Sequence, residues 1–465
     1  MSINLQSNYK FSKYTKIVKN QKRGEVALFQ LEKKSWLRIK DVALSYLEML
    51  NSKNVEQLIS ENQKTEKFNS TEFVSFVEKM ISSGYIESRQ NTQTSSENKM
   101  SRKYELEEIV RNYHKRIWYS ITSNCNLHCP YCYATNSQGH VKRIPDFPLK
   151  HSIKILNRLK DNNVKEIVIS GGEPLLNHHC FEIIKYAKTI TEVSLISNGQ
   201  LISREVARQL KSLGLKTIAV SIDGTTEETH DRMRGKGTFK KALAAIHNLK
   251  EAGVKKVHIC ATTTKLNLHE LVQFPSFADK LGVTFNYSFF MPVGRGAVNQ
   301  KDLCFSCEEY LHFMDNVQGV MIQKYQDSEM QSALELSEKK LKVPPIKNIC
   351  GLGASTLAIE ANGDVVPCHL FLGKDLIMGN LLRHPLIEIL ANWKRRNLIT
   401  VDDNPYCAKC DVRYFCAGGC WAHTYAVSGN FMGKNPYCDI YKTYFKDQLW
   451  GLGARENFRF RKNKL

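Results

Sequence analysis

The chain has 465 residues, with 66 Lys and Arg against 46 Asp and Glu and a formal net charge of +20. That length holds two or three domains with their own cores, and no stretch is apolar for long enough to cross a bilayer. The charge favours anionic partners such as an acidic peptide, while no known nucleic-acid-binding motif is present. No secretory signal is legible at Met1 to Leu5, so a cytoplasmic location is expected. In that compartment fourteen cysteines point to metal or cluster ligation and not to disulfides.

Residues 1–90 contain no cysteine and read as a separate small α+β domain. Tyr14 to Val18 and Val26 to Leu31 suit strands. Val42, Leu44, Tyr46, Leu47 and Leu50 suit a helix with one buried face, and Val55, Leu58 and Ile59 suit a short second helix. Asn69 followed by Glu72 signals the start of a third, in which Phe73, Phe76, Val77, Met80 and Ile81 form one apolar stripe. Gly84 ends it before Tyr85-Ile86-Glu87. Strands followed by three helices resemble the winged-helix domain that recognises leader peptides, a relative of the peptide chaperone of pyrroloquinoline-quinone synthesis. That resemblance implies a leader added as an extra strand beside the small sheet, against the third helix. A winged helix used for DNA binding or for packing has the same pattern.

Residues 91–114 read as a linker, rich in Ser, Thr, Asn and Gln at their start. From 115 to 300, short apolar runs alternate with amphipathic stretches. Candidate strands are Ile117–Ile121, Glu166–Ser170, Val193–Ser197, Thr217–Ile222, Val257–Thr262 and Thr284–Phe289. Such alternation builds an α/β fold with a parallel sheet and right-handed crossovers. Function in such sheets sits at the carboxyl ends of the strands.

The motifs fall at those ends. After the first strand, Cys125, Cys129 and Cys132 stand in a C-x3-C-x2-C spacing. Three thiolates this close can hold three irons of a [4Fe–4S] cluster and leave the fourth iron open. A zinc site of the same cysteines with His128 or His140 is the alternative. After the second strand comes Gly171-Gly172-Glu173-Pro174, whose glycines allow close backbone approach to a small molecule. Ser197-Asn198-Gly199 follows the third, and Ser221-Ile222-Asp223-Gly224 the fourth. Met291 to Gly296 follows the sixth, as a cap over the site, an anion-binding turn or a tight exit loop. Cys180 and Cys260 lack cluster spacing and read as small buried apolar residues.

Residues 301–345 form a bridge carrying Cys304 and Cys307, residues 346–450 a cysteine-rich domain, and 451–465 a basic tail. The second constellation is Cys350, Cys368, Cys407, Cys410, Cys416, Cys420 and Cys438. Zinc ribbons are the alternative here, but seven cysteines divide poorly into tetrahedral sets of four.

The first cysteine loop and the ordered motifs behind it resemble the radical S-adenosylmethionine (SAM) superfamily. The later cysteines resemble its SPASM extension, position by position. The resemblance implies an open (β/α)6 TIM-like partial barrel between the winged-helix domain and the SPASM domain. It implies three [4Fe–4S] clusters: one SAM-binding on Cys125, Cys129 and Cys132, one auxiliary on Cys407, Cys410, Cys416 and Cys438, and one on Cys350, Cys368 and Cys420. Cys304 or Cys307 is expected to complete the last, with an open iron as the alternative. SAM contacts are implied for Tyr131, Gly171, Gly172, Glu173, Pro174, Ser197, Asn198, Ser221, Asp223 and Arg234, with Arg234 toward its carboxylate and Tyr131 toward its adenine. The implied activity is hydrogen abstraction by a 5′-deoxyadenosyl radical. The residues around Cys350 and Cys368 resemble enzymes of the subtilosin type, which link a cysteine sulfur to carbon. Expected partners are a precursor peptide with its leader and an electron donor such as flavodoxin or ferredoxin, with neither nucleic acid nor membrane. Carbon–carbon or carbon–oxygen crosslinking, a sulfatase-maturase-like oxidase, and an iron–sulfur electron carrier or peptide-binding scaffold are the other readings.

Overall fold

Strand β3 (Glu25–Gln30) is covered on both faces, and Val26, Ala27, Leu28 and Phe29 are all fully enclosed. The structure, a computed structural model, is described for residues 3–20, 24–33, 35–62, 69–89, 116–135, 140, 145–160, 162, 164–313, 316, 350–353, 356–373, 376–397 and 399–450. β3 is the centre of an antiparallel sheet with β2 (Thr15–Asn20) and β4 (Ser35–Lys40). Side chains alternate along a strand, so Val26 and Leu28 reach the helices α1 (Asp41–Met49), α2 (Val55–Asn62) and α3 (Ser70–Ser82), burying Leu44, Leu58 and Val77. Asn69 starts α3 as expected, its Oδ1 accepting the N–H groups of Thr71 and Glu72. Beyond Gly84, at φ +77°, β5 (Ile86–Ser88) pairs with β1 (Tyr9–Phe11). Strands β1 and β4 go beyond the sequence reading. In β4 the adjacent apolar pair Trp36 and Leu37 breaks the alternation that Arg38, Ile39 and Lys40 keep.

Ala27 and Phe29, on the other face of β3, meet the cysteine-rich region. The Phe29 ring lies 5.2 Å from Tyr414 and 5.3 Å from Phe415, and Trp36 lies 5.1 Å from Phe415. The amino-terminal sheet is therefore sandwiched between its own helices and the carboxyl-terminal core.

Six parallel strands follow in sequential order: β6 (Arg116–Ser120), β7 (Glu166–Ser170), β8 (Glu192–Ser197), β9 (Thr217–Ser221), β10 (Val257–Thr263) and β11 (Thr284–Phe289). The crossovers carry α4 (Leu149–Lys160), α5 (Cys180–Lys188), α6 (Arg204–Ser212), α7 (Glu227–Arg234), α8 (Thr238–Glu251) and α9 (Phe274–Leu281). Ile117, Ile167, Leu195, Ile218 and Ile259 pack onto these helices. The opposite, concave face mixes polar side chains such as Ser194, Ser221 and Asn286 with Trp118, Val168 and Ala219, on an α/β fold with a partial, barrel-like sheet.

The sheet does not end at β6, where six strands alone would have left an edge. β12 (Thr356–Ile359) pairs parallel with β6, Trp118 opposite Ala358. β13 (Asp364–Val366) and β14 (Gly379–Asn380) continue it antiparallel. An unpaired inner edge would leave backbone groups without partners, and the cysteine-rich region supplies them. Helices α10 (Leu386–Asn397), α11 (Trp421–Ser428) and α12 (Cys438–Trp450) complete the described fold. The linker at 91–114, most of the bridge after residue 313 and the tail at 451–465 lie outside the described residues. Among the described residues no helix is long and apolar enough to cross a membrane.

Candidate active site and cluster ligands

The loop after β6 carries Cys125, Cys129 and Cys132, all partly exposed. The turn after β7 supports it from below: Gly172 N–H donates to the Thr122 carbonyl at 2.9 Å and Glu173 N–H to that of Asn124 at 2.7 Å. A Cβ on Gly171 would stand 2.4 Å from the Thr122 oxygen, and one on Gly172 would stand 2.1 Å from that of Asn124. These glycines admit the cysteine loop itself. The segment after β11 closes on the other side. Arg295 donates from Nη1 to the Cys129 carbonyl and from its main-chain N–H to that of Cys132, both at 3.0 Å, and Asn299 Nδ2 donates to the Pro130 carbonyl at 2.9 Å. Residues 291–296 thus lead into a clamp on the cysteine loop, with the Arg295 amide directed at protein oxygens and not outward to an anion.

Glu173 is fully buried. Its Oε1 accepts from the Ser197 hydroxyl at 2.8 Å and its Oε2 from Asn198 N–H at 2.7 Å. Burial holds this carboxyl above its ordinary range, against the opposite pull of those hydrogen bonds. Asn198 Nδ2 reaches Asn126 Oδ1 at 2.8 Å. Glu173, Ser197 and Asn198 therefore tie the ends of β7 and β8 to the cysteine loop, and Pro174 opens a short 3-10 turn behind them.

Asp223 is also fully buried, and Oδ2 accepts from Arg234 Nε at 2.6 Å and from the Tyr131 hydroxyl. Oδ1 accepts from Thr262 N–H at 2.8 Å. The Arg234 guanidinium lies 5.6 Å over the Tyr131 ring. Burial works against the Arg234 charge, but Asp223 beside it keeps the group firmly protonated. Asp223, Arg234 and Tyr131 are thus brought together as one buried polar knot next to Cys129. The sequence reading missed His230, one helical turn before Arg234. Its Nδ1 accepts from Asp223 N–H at 3.3 Å, and burial lowers its pKa to about 4, so the ring is neutral. The four-residue spacing on α7 was the available signal.

Ser221, Cys260 and Asn286 stand side by side across β9, β10 and β11. The reading of Cys260 as a buried apolar residue is corrected: its Sγ points to Asn286 Oδ1 at 3.2 Å, and His258 Nε2 is 2.6 Å from the same oxygen. Along β10 the odd-numbered positions are buried against helices, so 258, 260 and 262 face the concave side. Cys180 is buried in the main core, as expected. His369, next to Cys368, stacks on Trp118 at 4.8 Å and meets the Tyr133 ring at 5.4 Å. The two cysteine regions therefore approach each other through the neighbours of Cys132 and Cys368.

In the cysteine-rich region Cys416 lies among Cys407, Cys410 and Cys438. Burial and then these three sulfurs push its pKa up to about 12. Cys420 is likewise pushed up to about 12, by burial and then by Cys350. Cys368, with Cys350 and Cys420, packs on one core. Cys304 Sγ takes the Tyr437 hydroxyl at 4.0 Å, and Tyr437 stands edge-on to His423 at 4.9 Å. Cys407, Cys410, Cys416 and Cys438 gather in one place, as thiolates that bind separate irons of a cluster do. His128 and His140, the histidines a Cys3His zinc site would need, are exposed.

Residues 119–278 match the Radical SAM superfamily, and residues 350–411 match SPASM, an iron–sulfur cluster-binding domain. This chain carries a radical SAM domain followed by a SPASM domain. Those domains imply [4Fe–4S] clusters and SAM. The chain is 28% identical over 354 residues to the AdoMet-dependent heme synthase of Methanosarcina barkeri, covering 72% of this chain and 98% of that protein. It is also 28% identical to the mycofactocin maturase MftC of Mycolicibacterium smegmatis over 349 residues, 73% of this chain and 84% of that one. Among solved structures, Streptococcus suis SuiB bound to precursor peptide SuiA aligns over 92% of this chain and 99% of its own, with TM-score 0.56 and 16% identity. The anSMEcpe structure with bound AdoMet aligns over 75% and 100%, with TM-score 0.60 and 18% identity. Likeness at this level concerns the fold.

Proposed function

We propose that the chain is a radical SAM maturase of a ribosomally made peptide, and that it forms an intrapeptide thioether from a cysteine sulfur to a carbon. The observation that carries the reading is the amino-terminal α+β unit docked by Phe29 and Trp36 onto Tyr414 and Phe415, directly beside Cys416. A peptide leader held by that unit as an added strand would be tethered next to the cysteine-rich domain. The heme synthase relative is matched along 98% of its length by only 72% of this chain, so it offers no counterpart to the remainder. That difference favours a peptide over a small-molecule substrate, and the fold shared with SuiB along 92% of this chain supports the same reading.

When bound, the SAM and its cluster supply hydrogen-atom abstraction from an unactivated carbon. Cys125, Cys129 and Cys132 would hold that cluster. Arg295 and Asn299 fix their loop, and Glu173 fixes the strand ends beneath it. The glycine turn at 171–172, Asn198, Ser221 and the Tyr131 ring would bound the SAM. Asp223 and Arg234 would contribute a paired charge held out of water. Ser221, Cys260 and Asn286 would line the wall facing the peptide. Cys407, Cys410, Cys416 and Cys438 would hold one auxiliary cluster, and Cys350, Cys368 and Cys420 three irons of the other. Cys304 or Cys307 would supply its fourth ligand, with an open iron as the alternative.

The test is mass spectrometry of candidate short peptides co-expressed with the enzyme and then alkylated at thiols. Loss of two hydrogens per crosslink, with the cysteine no longer alkylated, is expected. The same loss with every cysteine still alkylated replaces the thioether by a carbon–carbon or carbon–oxygen bond.

A further inference from the structure

Strand β11 ends the nine-stranded sheet, with β10 as its one strand neighbour among the described residues. Its main-chain groups alternate in direction. Phe290 N–H donates to the Thr263 carbonyl at 3.1 Å, and the Thr263 hydroxyl donates to the Ser288 carbonyl at 3.2 Å. In a parallel pair this register turns the main-chain groups of Thr284, Asn286 and Ser288 toward β10. The N–H and C=O groups of Phe285, Tyr287 and Phe289 point away from the sheet. Among the described residues none of these has a hydrogen-bond partner.

An open edge pairs with other chains unless it is short or carries charge. The other described edges are blunted in those ways. β2 carries Lys16 and Lys19, β4 carries Arg38 and Lys40, and β1, β5 and β14 are two or three residues long. β11 has six residues, none of them charged and none proline. Its unguarded edge points to an occupant in extended conformation.

The edge borders the candidate active site. Thr284, Asn286 and Ser288 are exposed on the concave face. Ser288 stands opposite Thr262, whose N–H binds Asp223 at 2.8 Å. The chain leaving β11 leads to Arg295, which holds the carbonyls of Cys129 and Cys132. A strand added here would lie about 4.8 Å from β11 and turn every second side chain to the concave face. The side chains on that face already bond to one another: His258 Nδ1 is 2.7 Å from Thr284 Oγ1, and Asn286 Nδ2 donates to Ser288 Oγ at 3.3 Å. Recognition at the edge therefore falls to main-chain pairing, which accepts many sequences while fixing their path.

We propose that the free edge of β11 binds the segment of the precursor peptide that is modified, as an added β-strand. The proposal rests on the functional reading above. It gives that segment a seat of its own, because Phe285, Tyr287 and Phe289 belong to the core of the parallel strands, whereas the amino-terminal sheet rests on the core around Tyr414 and Phe415. Pairing also sets which residue reacts, since a slip of one position turns the target side chain away from the concave face.

The experiment uses reconstituted full-length enzyme and the candidate short peptides of the functional test, each synthesised whole and as its cysteine-containing part alone. Hydrogen exchange is read at single amides. In the free enzyme the amides of Phe285, Tyr287 and Phe289 are expected to exchange faster than those of Asn286 and Ser288, and the cysteine-containing part alone is expected to slow them. Phe285→Pro removes one outward N–H and none from the ladder. It is expected to weaken peptide binding on the order of tenfold, while Phe285→Ala, which loses the ring but keeps the N–H, stays close to wild type. Should Phe285→Pro fail to load iron, peptides N-methylated at alternate positions replace it: methylation at positions of one parity should weaken binding to wild type and at the other parity should not. Equal effects at both parities overturn the proposal. So do edge amides that exchange slowly in the free enzyme, or that slow only as enzyme concentration rises, which would give the edge to a second copy of this chain. A peptide that is crosslinked without protecting β11 overturns the proposal and leaves the functional reading intact. Protection of β11 without crosslinking does the reverse. Candidate peptides that neither bind nor react overturn both.

Discussion

Arg295 donates from its guanidinium to the main-chain carbonyl of Cys129 across 3.0 Å, linking positions 166 residues apart. The exit segment of β11 thereby sets the shape of the cysteine loop after β6. Hydrogen bonds to charged donors contribute about 1.5–3 kcal/mol each. Arg295→Ala is expected to leave the chain folded but to lower iron and acid-labile sulfide after reconstitution. Lysine lacks the fork that fixes the approach, so Arg295→Lys should recover only part. Full iron loading of the alanine variant would show that the loop holds its form without the clamp.

Gly172 tolerates no side chain, because a Cβ would meet the Asn124 oxygen at 2.1 Å. Gly172→Ala should displace the cysteine loop and abolish cluster assembly. Gly214→Ala meets nothing within 4 Å, although its φ of +62° makes it mildly strained. That variant should load iron normally, with a small fall in thermal midpoint.

Breaking the Asp223–Arg234 pair leaves one buried charge alone. Asp223→Asn is expected to cost about 3–5 kcal/mol, read as a drop in unfolding midpoint of the apo chain. The double variant Asp223→Leu with Arg234→Met should regain much of that stability, since no lone charge remains, while losing SAM binding. A double variant as unstable as the single would mean that the hydrogen bonds from Thr262 and Tyr131 matter more than the charge.

His423 is fully buried, and neither ring nitrogen has a hydrogen-bond partner. Burial lowers its pKa from 6.5 to about 4. Above pH 6.5 the ring is neutral in both folded and unfolded chains and the stability is fully present. Below that, the unfolded chain takes up a proton that the folded chain refuses. Stability therefore falls toward pH 4, by about 1.4 kcal/mol per pH unit from this group. His423→Phe should lose less in unfolding midpoint between pH 7 and pH 5 than wild type does. Equal losses would place the acid sensitivity elsewhere.

The six core strands were legible because Ile117, Ile167, Leu195, Ile218 and Ile259 sit in short apolar runs between amphipathic helices. Cys125, Cys129 and Cys132 stood out as a motif because their spacing is local, whereas Cys350 comes beside Cys420 only through the fold. What escaped was long-range. The pairing of β12 with β6 joins segments more than two hundred residues apart, and no local pattern in Thr356–Ile359 announces it. The two faces of β3 read as one apolar run, which hid that Phe29 serves the carboxyl-terminal core. Gly171 and Gly172 announced a close approach but not what approaches. Cys260 was misread because its neighbours Ile259 and Ala261 are buried, although it lies on the opposite face of the strand.

Hydrogen bonding from β11 through β14 is continuous. A chain cut before Cys350 would lose β12 and leave Arg116 to Tyr119 as a bare inner edge, directly ahead of the cysteine loop. Such edges recruit other strands and aggregate. Swapping one such enzyme's carboxyl-terminal domain for another's is therefore a graft into the middle of a sheet. A working chimera must preserve the register of Trp118 with Ala358 as well as the cysteines.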